Sequence, residues 1–429
     1  MATTKETTPS AHAGTTHETA LSVLRRIAPS ALLPALVYEI GNGAIAPIIA
    51  LIAIAEGAST GVAGLMLSML GIGRILGDVP AARLADRFGD RRAMMGAATV
   101  TALGLLVCWV MPTIAALAAA LLVIGVCNAT FYLARQTYIS EVVPIDLRAR
   151  ALSTLAGSHR IGLFIGPFVG AAAISTWGTR AAFGVAIVST VATGVLLLVV
   201  PDQEHAGDRP PAHRGGGSAR ATYRAHRQLF WTLGVAVVIV GAVRAARQTV
   251  LPLWAEHIGL DATTTSLVFG VANAVDMSLF YPAGQVMDRL GRLWIAIPAM
   301  GLLGIGMMGL PLAHGAVLLG LMAIVMSLGN GIGSGIMMTL GADAAPARNR
   351  TTFLAVWRLL SDTGNAAGPL IPAAIATVAT LALGISVTGV LGLAAAAALA
   401  RWVPRYSSYA TPAMARAHRA RTGAVSRGK

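Results

Sequence analysis

The chain has 429 residues, of which 55% are hydrophobic and only 12% are charged. Its mean hydropathy of +0.70 lies above that of water-soluble domains of this size, which excludes an ordinary globular protein. The net charge of +14 does not indicate nucleic-acid binding, because the basic residues are spread over alternate loops and not gathered on one folded domain. These properties predict an all-α polytopic membrane protein.

The apolar segments follow one another with short gaps, and each is long enough to span a bilayer, which takes roughly 20 residues. The N-terminal segment is polar and Thr-rich without the apolar core of a signal peptide, so we expect it to be disordered. The longest gap is rich in Pro, Gly and charge, which is typical of a flexible linker. The predicted organisation is a disordered cytoplasmic segment at 1–28, a six-helix bundle at 29–200, a cytoplasmic linker at 201–228, a second six-helix bundle at 229–403 and a basic tail at 404–429.

Basic residues occupy every second loop. They lie at 85–92, 146–150, 202–227, 288–292, 346–350 and after Arg401. The intervening loops contain a single basic residue, Arg180. This asymmetry follows the positive-inside rule and predicts that both termini are cytoplasmic. Because Arg greatly outnumbers Lys, as in GC-rich bacteria, we expect a bacterial inner membrane protein. The basic tail is either a solvated end or a segment attracted to anionic lipid headgroups.

The two halves of the chain repeat each other at an offset of 202 residues. PAARLADRFG at 80–89 aligns with PAGQVMDRLG at 282–291, and GxxxGP at 162–167 aligns with GxxxGP at 364–369. The same offset therefore aligns motifs that lie far apart in the sequence. Parallel six-helix repeats are the plan of a large class of transporters that place the substrate path between the halves.

The loop ARLADRFGDRR resembles the signature GxLaDRxGRR of the major facilitator superfamily, with Ala82 in place of the leading Gly and Asp90 between the basic residues. The resemblance implies twelve transmembrane helices in two pseudo-symmetric six-helix bundles, the major facilitator fold. A carboxylate at the end of one helix can meet the positive end of a helix dipole in the other half, so we expect a latch. Its members are Asp86, Arg87, Gly89, Arg91, Arg92, Asp288, Arg289 and Gly291; alternatively, the arginines serve only as topological charges.

The fifth predicted helix carries Gly162, Gly166, Pro167 and Gly170, a pattern similar to the GxxxGPxxGG motif of the drug and proton antiporters of that superfamily. The eleventh repeats it with Gly364, Gly368 and Pro369. Small residues four apart allow close helix approach, and the proline removes a backbone hydrogen bond and bends the helix. The resemblance implies an exporter. Against it, Leu121 stands where these antiporters usually carry an arginine.

Ionisable residues inside spanning segments are costly and need partners or water. Two pairs, Arg74 with Asp78 and Arg358 with Asp362, are four residues apart and face the same side of a helix. They are either architectural ion pairs or pairs that rearrange during transport. The full set is Glu39, Arg74, Asp78, Arg135, His159, Arg160, Arg244, Arg247, Asp276, Arg358 and Asp362.

Glu39 is the leading candidate for proton coupling, because no cation lies within a turn of it on its own helix. Burial disfavours a charged carboxylate, so such a group can exchange protons as its exposure alternates. The alternative is a fixed pair with Arg244 or Arg247. Asp276 is the next candidate, and the other candidates are Asp78 and Asp362.

Several cations belong to the predicted substrate cavity, whose candidates are Arg244, Arg247, Gln248, Arg160, Tyr38, Arg74 and Arg358. Guanidinium groups bind carboxylate and phosphate well, so an anionic or zwitterionic substrate competes with a cationic drug.

The sequence lacks HExxH, GxSxG and nucleotide-loop motifs, so we predict neither an enzyme nor an ATP-driven pump, and no metal or cofactor. The predicted function is proton-coupled efflux of a small organic or drug-like solute by alternating access. The alternative is a symporter or facilitated carrier of an organic anion or amphipathic lipid. The expected partners are the solute, protons and the bilayer, without nucleic acid, and the expected state is a monomer.

Overall fold

The computed structural model describes residues 25–111, 113–143, 147–200, 219–346 and 349–417. Within these ranges the chain is built of long helices and contains no strand. Eleven of the helices are apolar and long enough to cross a membrane. The helices are α1 Arg25–Ala55, α2 Thr60–Phe88, α3 Asp90–Val110, α4 Ile114–Val142, α5 Arg148–Trp177, α6 Ala181–Val199, α7 Arg227–His257, α8 Ala262–Leu290, α9 Leu293–Leu312, α10 Ala316–Ala344, α11 Arg350–Ala367 with Leu370–Val378, and α12 Leu381–Tyr406.

Three of these helices are interrupted. α1 has a turn at 46–48 that contains Pro47, and α10 has a turn at 333–335. α11 is divided at Gly368 and Pro369, and its first part is polar, which is why it is absent from the eleven apolar helices. In contrast, α5 continues through Pro167 without a break, although the same motif occurs there.

The helices form two bundles, as the family resemblance predicts. In the first, α2 packs on α4 and α1 packs on α5 and α6; in the second, α8 packs on α10, α7 on α11 and α9 on α12. The bundles meet where α5 contacts α8 and where α2 contacts α11. Large apolar side chains such as Val188 (70% exposed) and Val317 (81% exposed) lie on the outer surface. An apolar exterior of this extent is suited to lipid and not to water.

The duplication is visible in the backbone of the turns. Gly57 and Gly259, which are 202 residues apart, have φ angles of +86° and +76°. Gly89 and Gly291, separated by the same interval, have φ angles of +83° and +93°. Residues with side chains rarely adopt this left-handed region, whereas glycine enters it without steric cost. Each half therefore makes its first two helix connections with glycine turns at equivalent positions.

The same interval relates the close helix approaches. A Cβ added to Gly166 would lie 2.5 Å from the carbonyl oxygen of Ile40 on α1. A Cβ added to Gly368 would come closest to the carbonyl oxygen of Ala242 on α7, which is the position equivalent to Ile40. Backbone thus meets backbone between α1 and α5 and again between α7 and α11. This is the close packing that the GxxxGP motifs predict.

The two ends of the molecule differ. At one end, which we call the closed end, Gly61 and Gly64 of α2 face Thr377 and Ala373 of α11. Side-chain caps begin α2, α4, α8 and α12 at this end, through Ser59, Thr113, Asp261 and Thr380. At Asp261 the hydrogen bond from the Thr264 hydroxyl lowers the pKa of the carboxyl, so this cap stays ionised over the physiological pH range.

The opposite end carries Asp86 and Asp288, and we call it the DR end. Asp86 and Arg87 are exposed there, and the carboxylate of Asp288 lies 4.0 Å from Arg292 of its own bundle. The latch between bundles is therefore not formed by Asp288 in this structure. The contacts described between the bundles run from the closed end, at Gly61 and Gly64, to the middle of the molecule, at Arg160 and Asp276. We interpret this arrangement as a cleft that faces the DR end.

Two described segments outside the bundles contain structure that the sequence did not predict. In the region of the predicted linker, Ala219–Ala225 forms a short helix, while residues 201–218 lie outside the described part. After α12, the hydroxyl of Ser407 donates to Asp343 at 2.5 Å, and the Tyr409 carbonyl accepts from the Arg292 amide at 3.1 Å. The first part of the predicted tail is thus docked on the second bundle. Residues 1–24 and 418–429, including most of the cations proposed to meet anionic lipid, lie outside the described residues.

Candidate proton and substrate site

Glu39 lies at the centre of a buried polar cluster in the first bundle, and its side chain is only 1% exposed. Its Oε1 atom lies 2.8 Å from Nδ1 of His159 on α5 and 3.8 Å from the guanidinium of Arg135 on α4. Its other oxygen accepts a hydrogen bond of 3.1 Å from Asn42, one turn further along α1. Three helices therefore converge on one carboxylate.

An aromatic side chain closes this cluster. Tyr132 accepts a hydrogen bond of 3.3 Å from Asn42, and its ring lies edge-on to His159 at 5.9 Å. The guanidinium groups of Arg135 and Arg74 lie 5.0 and 5.2 Å from the centre of the same ring. Cations at this distance are attracted to the face of an aromatic ring. Tyr132 thus connects Glu39 on α1 with Arg74 on α2.

Glu39 and His159 make the shortest contact in this cluster. At 2.8 Å, Nδ1 of His159 and Oε1 of Glu39 are in direct contact, and the carboxylate attracts the imidazole when the ring is protonated. The side chain of His159 is 35% exposed, whereas that of Glu39 is almost fully buried.

The predicted alternative partners of Glu39 lie elsewhere. Arg244 and Arg247 both contact α10 within the second bundle, so neither forms the fixed pair with Glu39 that the sequence left open. The sequence did not assign roles to His159 and Arg135, because their proximity to Glu39 depends on how α4 and α5 are rotated against α1.

A second ion pair joins the two bundles. Arg160 of α5 lies 3.2 Å from a carboxylate oxygen of Asp276 on α8, and its guanidinium also lies over the ring of Phe280 at 4.4 Å. The other oxygen of Asp276 accepts from the Asn330 amide on α10 at 3.1 Å. Asp276, which has no cation nearby on its own helix, thus finds its cation across the bundle interface.

The two arginines of α7 have neutral partners. Arg244 donates to the side-chain oxygen of Asn330 at 2.9 Å and to the carbonyl of Gly333 at 3.0 Å, where α10 is interrupted. Arg247 is 2% exposed and donates to the hydroxyl of Ser327 at 2.9 Å, while its Nε atom is buried without a partner. These bonds are made to neutral groups, and the carboxylate that acts on both arginines is Asp276, which is bonded to the same Asn330.

The remaining predicted cavity residues divide between core and cleft. Arg358 and Asp362 form the expected pair at 3.5 Å on α11, whereas Arg74 points to Tyr132. Tyr38 does not line a cleft: it is 1% exposed, stacks on Phe131 at 4.1 Å and donates to Asn128 at 2.6 Å. Tyr38 therefore lies in the core of the first bundle. Gln248 is half-buried on α7.

Comparison with known proteins decides the family. The model for the Major Facilitator Superfamily matches residues 32–369 and 250–423, which together cover most of the chain. The chain belongs to the major facilitator superfamily. Its fold agrees: the D-xylose–proton symporter structure has a TM-score of 0.64 at 16% identity, covering 91% of this chain and 99% of that one.

Other known proteins are similar to this chain over comparable lengths. The chain is 27% identical over 323 residues to the chloramphenicol resistance protein of Streptomyces lividans, covering 74% of this chain and 80% of the relative. A POT family transporter solved with 5-aminolevulinic acid has a TM-score of 0.71 at 11% identity, covering 89% and 96%. A bacterial homologue of the human lysosomal transporter Spinster has a TM-score of 0.67 at 14% identity, covering 90% and 96%.

The superfamily loop signature lies at the DR end in both halves of this transporter. In the first half, Arg91 donates to the carbonyl of Leu197 at 2.6 Å and so caps the end of α6, while Arg92 is exposed. In the second half, Arg292 pairs with Asp343 of α10 at 3.0 Å. Arg91 therefore has a structural role in this state, and Asp86 is available for a latch in another.

We expect Asp86→Asn to slow transport while leaving substrate affinity almost unchanged. Asp86 is exposed in this open state, so its loss affects only the state in which the DR end is closed. An exposed charged contact contributes up to about 1 kcal/mol, which corresponds to about a fivefold change in rate. Transport kinetics in vesicles give both quantities. A large loss of affinity at normal turnover would contradict the latch.

Proposed function

We propose that this transporter couples the entry of protons to the export of a small organic solute by alternating access. The observation that supports it most directly is the adjacency of two ion pairs on α5. His159 holds Glu39 within the first bundle, and the next residue, Arg160, holds Asp276 of the second bundle. A change of protonation at the first pair therefore acts on the helix that carries the contact between bundles.

Electrostatics gives the reason why protonation would act on the contact between the bundles. When the Glu39 and His159 pair gains a proton, its net charge becomes more positive beside Arg135 and close to Arg160, which disfavours the present arrangement of cations. Movement of α5 relative to α8 relieves that repulsion. Proton binding and release would thus favour different relative positions of the two bundles, which is the requirement for coupled transport.

The DR end is assigned to the cytoplasm in this proposal. The loops that the sequence shows to be basic lie at the DR end, and the positive-inside rule places them in the cytoplasm of a bacterial inner membrane. The structure is then an inward-open state, in which His159 has access to cytoplasmic water through the cleft. Solute enters from this side, and the closed end opens outward in the next state.

Chloramphenicol is the first solute to test, because a relative over three quarters of the chain is a chloramphenicol resistance protein. The experiment uses proteoliposomes with this transporter, radiolabelled chloramphenicol and ethidium as a second solute. An imposed pH gradient should drive accumulation on the acidic side, and a protonophore should abolish it. Transport of either solute that ignores the gradient and the protonophore would contradict proton coupling.

A second candidate is the carriage of an organic anion by symport or facilitated exchange. It is favoured by the buried charges of Arg244 and Arg247, whose partners are the neutral groups of Asn330, Gly333 and Ser327. Asp276 is one carboxylate near three arginines, Arg160, Arg244 and Arg247, so an acidic solute near α7 would add a second countercharge. Indole-3-acetate and indole-3-acetamide, which differ in that charge, separate the two candidates. Uptake of the acid alone, with protons moving in the same direction, would favour the anion carrier.

A further inference from the structure

At two pairs of positions that are equivalent under the duplication, the two halves carry charges of opposite sign. The offset of 202 residues pairs Arg74 on α2 with Asp276 on α8, and it pairs Arg160 on α5 with Asp362 on α11. The contact between α5 and α8 therefore has arginine on α5, whereas the equivalent contact between α11 and α2 has aspartate on α11. Both contacts retain complementary charges, but their order is reversed.

The backbones around these positions are equivalent as well. Between α8 and α5, the Asn273 side chain donates to the carbonyl of Leu163 at 2.9 Å. The positions equivalent to these are Gly71 and Asn365, and a Cβ on Gly71 would lie 3.0 Å from the Cα atom of the adjacent Ala366. The helices thus touch at the same level in both interfaces.

The charged residues lie three positions from that contact, after it on α8 and α2 and before it on α5 and α11. In the α5 and α8 interface, this step leads to Arg160 and Asp276, which are 3.2 Å apart. In the α2 and α11 interface, the same step leads from Gly71 to Arg74 and from Asn365 back to Asp362. Both sets lie on the DR side of the helix contact, where closure of the cleft brings the bundles together.

In the present state Arg74 and Asp362 contact other partners and not each other. Asp362 lies 3.5 Å from Arg358, and the side chain of Arg358 is 61% exposed. Arg74 lies over Tyr132 of the proton site. Arg74 is nonetheless among the charged groups that act on Asp362, together with Arg358 and Asp78. The inter-bundle pair of Arg160 with Asp276 is formed, whereas the equivalent residues Arg74 and Asp362 are not paired with each other.

We infer that Arg74 and Asp362 form a second inter-bundle ion pair when the DR end closes, as the charge-reversed counterpart of Arg160 and Asp276. This inference rests on the alternating access proposed above. Closure transfers Arg74 from the ring of Tyr132 to Asp362, and Tyr132 contacts Asn42, which donates to Glu39. Arg74 is thus a positioning residue that connects closure of the cleft with the proton site.

A charge exchange tests this inference directly. Spin labels at Phe88 and Leu290, exposed ends of α2 and α8, report the width of the DR end in nanodiscs. Arg74→Asp and Asp362→Arg, each alone, should lower the ratio of closed to open molecules about tenfold, the scale of coupling between contacting residues. The double variant should recover a ratio within about threefold of the wild type.

The matched control combines Arg74→Asp with Glu256→Arg, which makes the same exchange of charges with a residue of α7 at the closed end and leaves Arg160 and Asp276 paired. It should not recover the closed population. The inference is wrong if the Arg74 and Asp362 exchange is as defective as the single variants, or if the control recovers equally well. Should the reversed charges prevent folding, Arg74→Gln and Asp362→Asn replace them, and their effects must be non-additive.

The distance measurement also separates this inference from the proposed function. It is made at fixed pH without solute, so a failure of pH-driven transport leaves it intact. If the wild type shows no population with a narrow DR end between pH 5 and pH 9, alternating access itself is contradicted, and the pair with it.

Discussion

Glu39→Gln should abolish pH-driven solute accumulation in proteoliposomes. Glutamine retains the size of the side chain and accepts from Asn42, but it neither binds a proton nor attracts the charge of His159. Buried carboxylates of this kind are the usual elements of proton relays in membrane carriers. We expect accumulation to fall at least about tenfold, because the loss of one strongly coupled charge pair corresponds to more than 1.4 kcal/mol.

The matched control is Glu56→Gln. Glu56 also pairs with an arginine of another helix, Arg180, at 2.6 Å, but it lies at the closed end and is partly exposed. Exposed pairs contribute little, so this variant should accumulate solute like the wild type. Solute exchange without a pH gradient should persist in Glu39→Gln, which shows that the variant is folded. Full pH-driven accumulation by Glu39→Gln would remove Glu39 from the coupling site.

Gly166→Leu should prevent assembly of the first bundle. A Cβ at this position would lie 2.5 Å from the Ile40 carbonyl oxygen and 2.7 Å from the Cα atom of Gly43, and both obstacles are backbone atoms. Overpacking costs about 1–3 kcal/mol when side chains can move aside, and more when they cannot. We expect little monodisperse protein by fluorescence-detected gel filtration. Gly368→Leu should behave in the same way at the equivalent contact of α11 with α7.

The control for both is Gly157→Leu, which lies on α5 where nothing would meet the added Cβ within 4 Å. This variant should be obtained in wild-type yield. Monodisperse Gly166→Leu with wild-type transport would show that α1 and α5 do not need their close backbone contact. That result would leave the GxxxGP motif without its structural explanation.

Much of the architecture follows from the sequence because it depends on local patterns. The apolar segments predict the helices, and the duplication indicated by the offset of 202 residues is found again in the matching φ angles of Gly57 with Gly259 and of Gly89 with Gly291. The GxxxGP motifs predict close helix approach, which Gly166 and its counterpart make. These features need only the composition and spacing of residues on one helix or turn.

The arrangement of the site depends on contacts between helices, which the spacing of residues does not determine. His159 and Arg135 reach Glu39 because α5 and α4 turn those faces toward α1, and neither rotation is visible in the sequence. Tyr38, beside Glu39, was predicted in the cavity but faces the core. The contact of the C-terminal segment with Arg292 is another such case, because its main bonds are made by backbone groups of Tyr409 and Ala410.

Protonation of the Glu39 and His159 pair is proposed to change the relative position of the two bundles. Spin labels at Phe88 and Leu290 in nanodiscs measure this directly as the pH is varied without solute. The wild type should show two distances whose populations change with pH, and Glu39→Gln should show populations independent of pH. A wild-type distance that stays the same at every pH, or an unchanged pH response in Glu39→Gln, would contradict the claim.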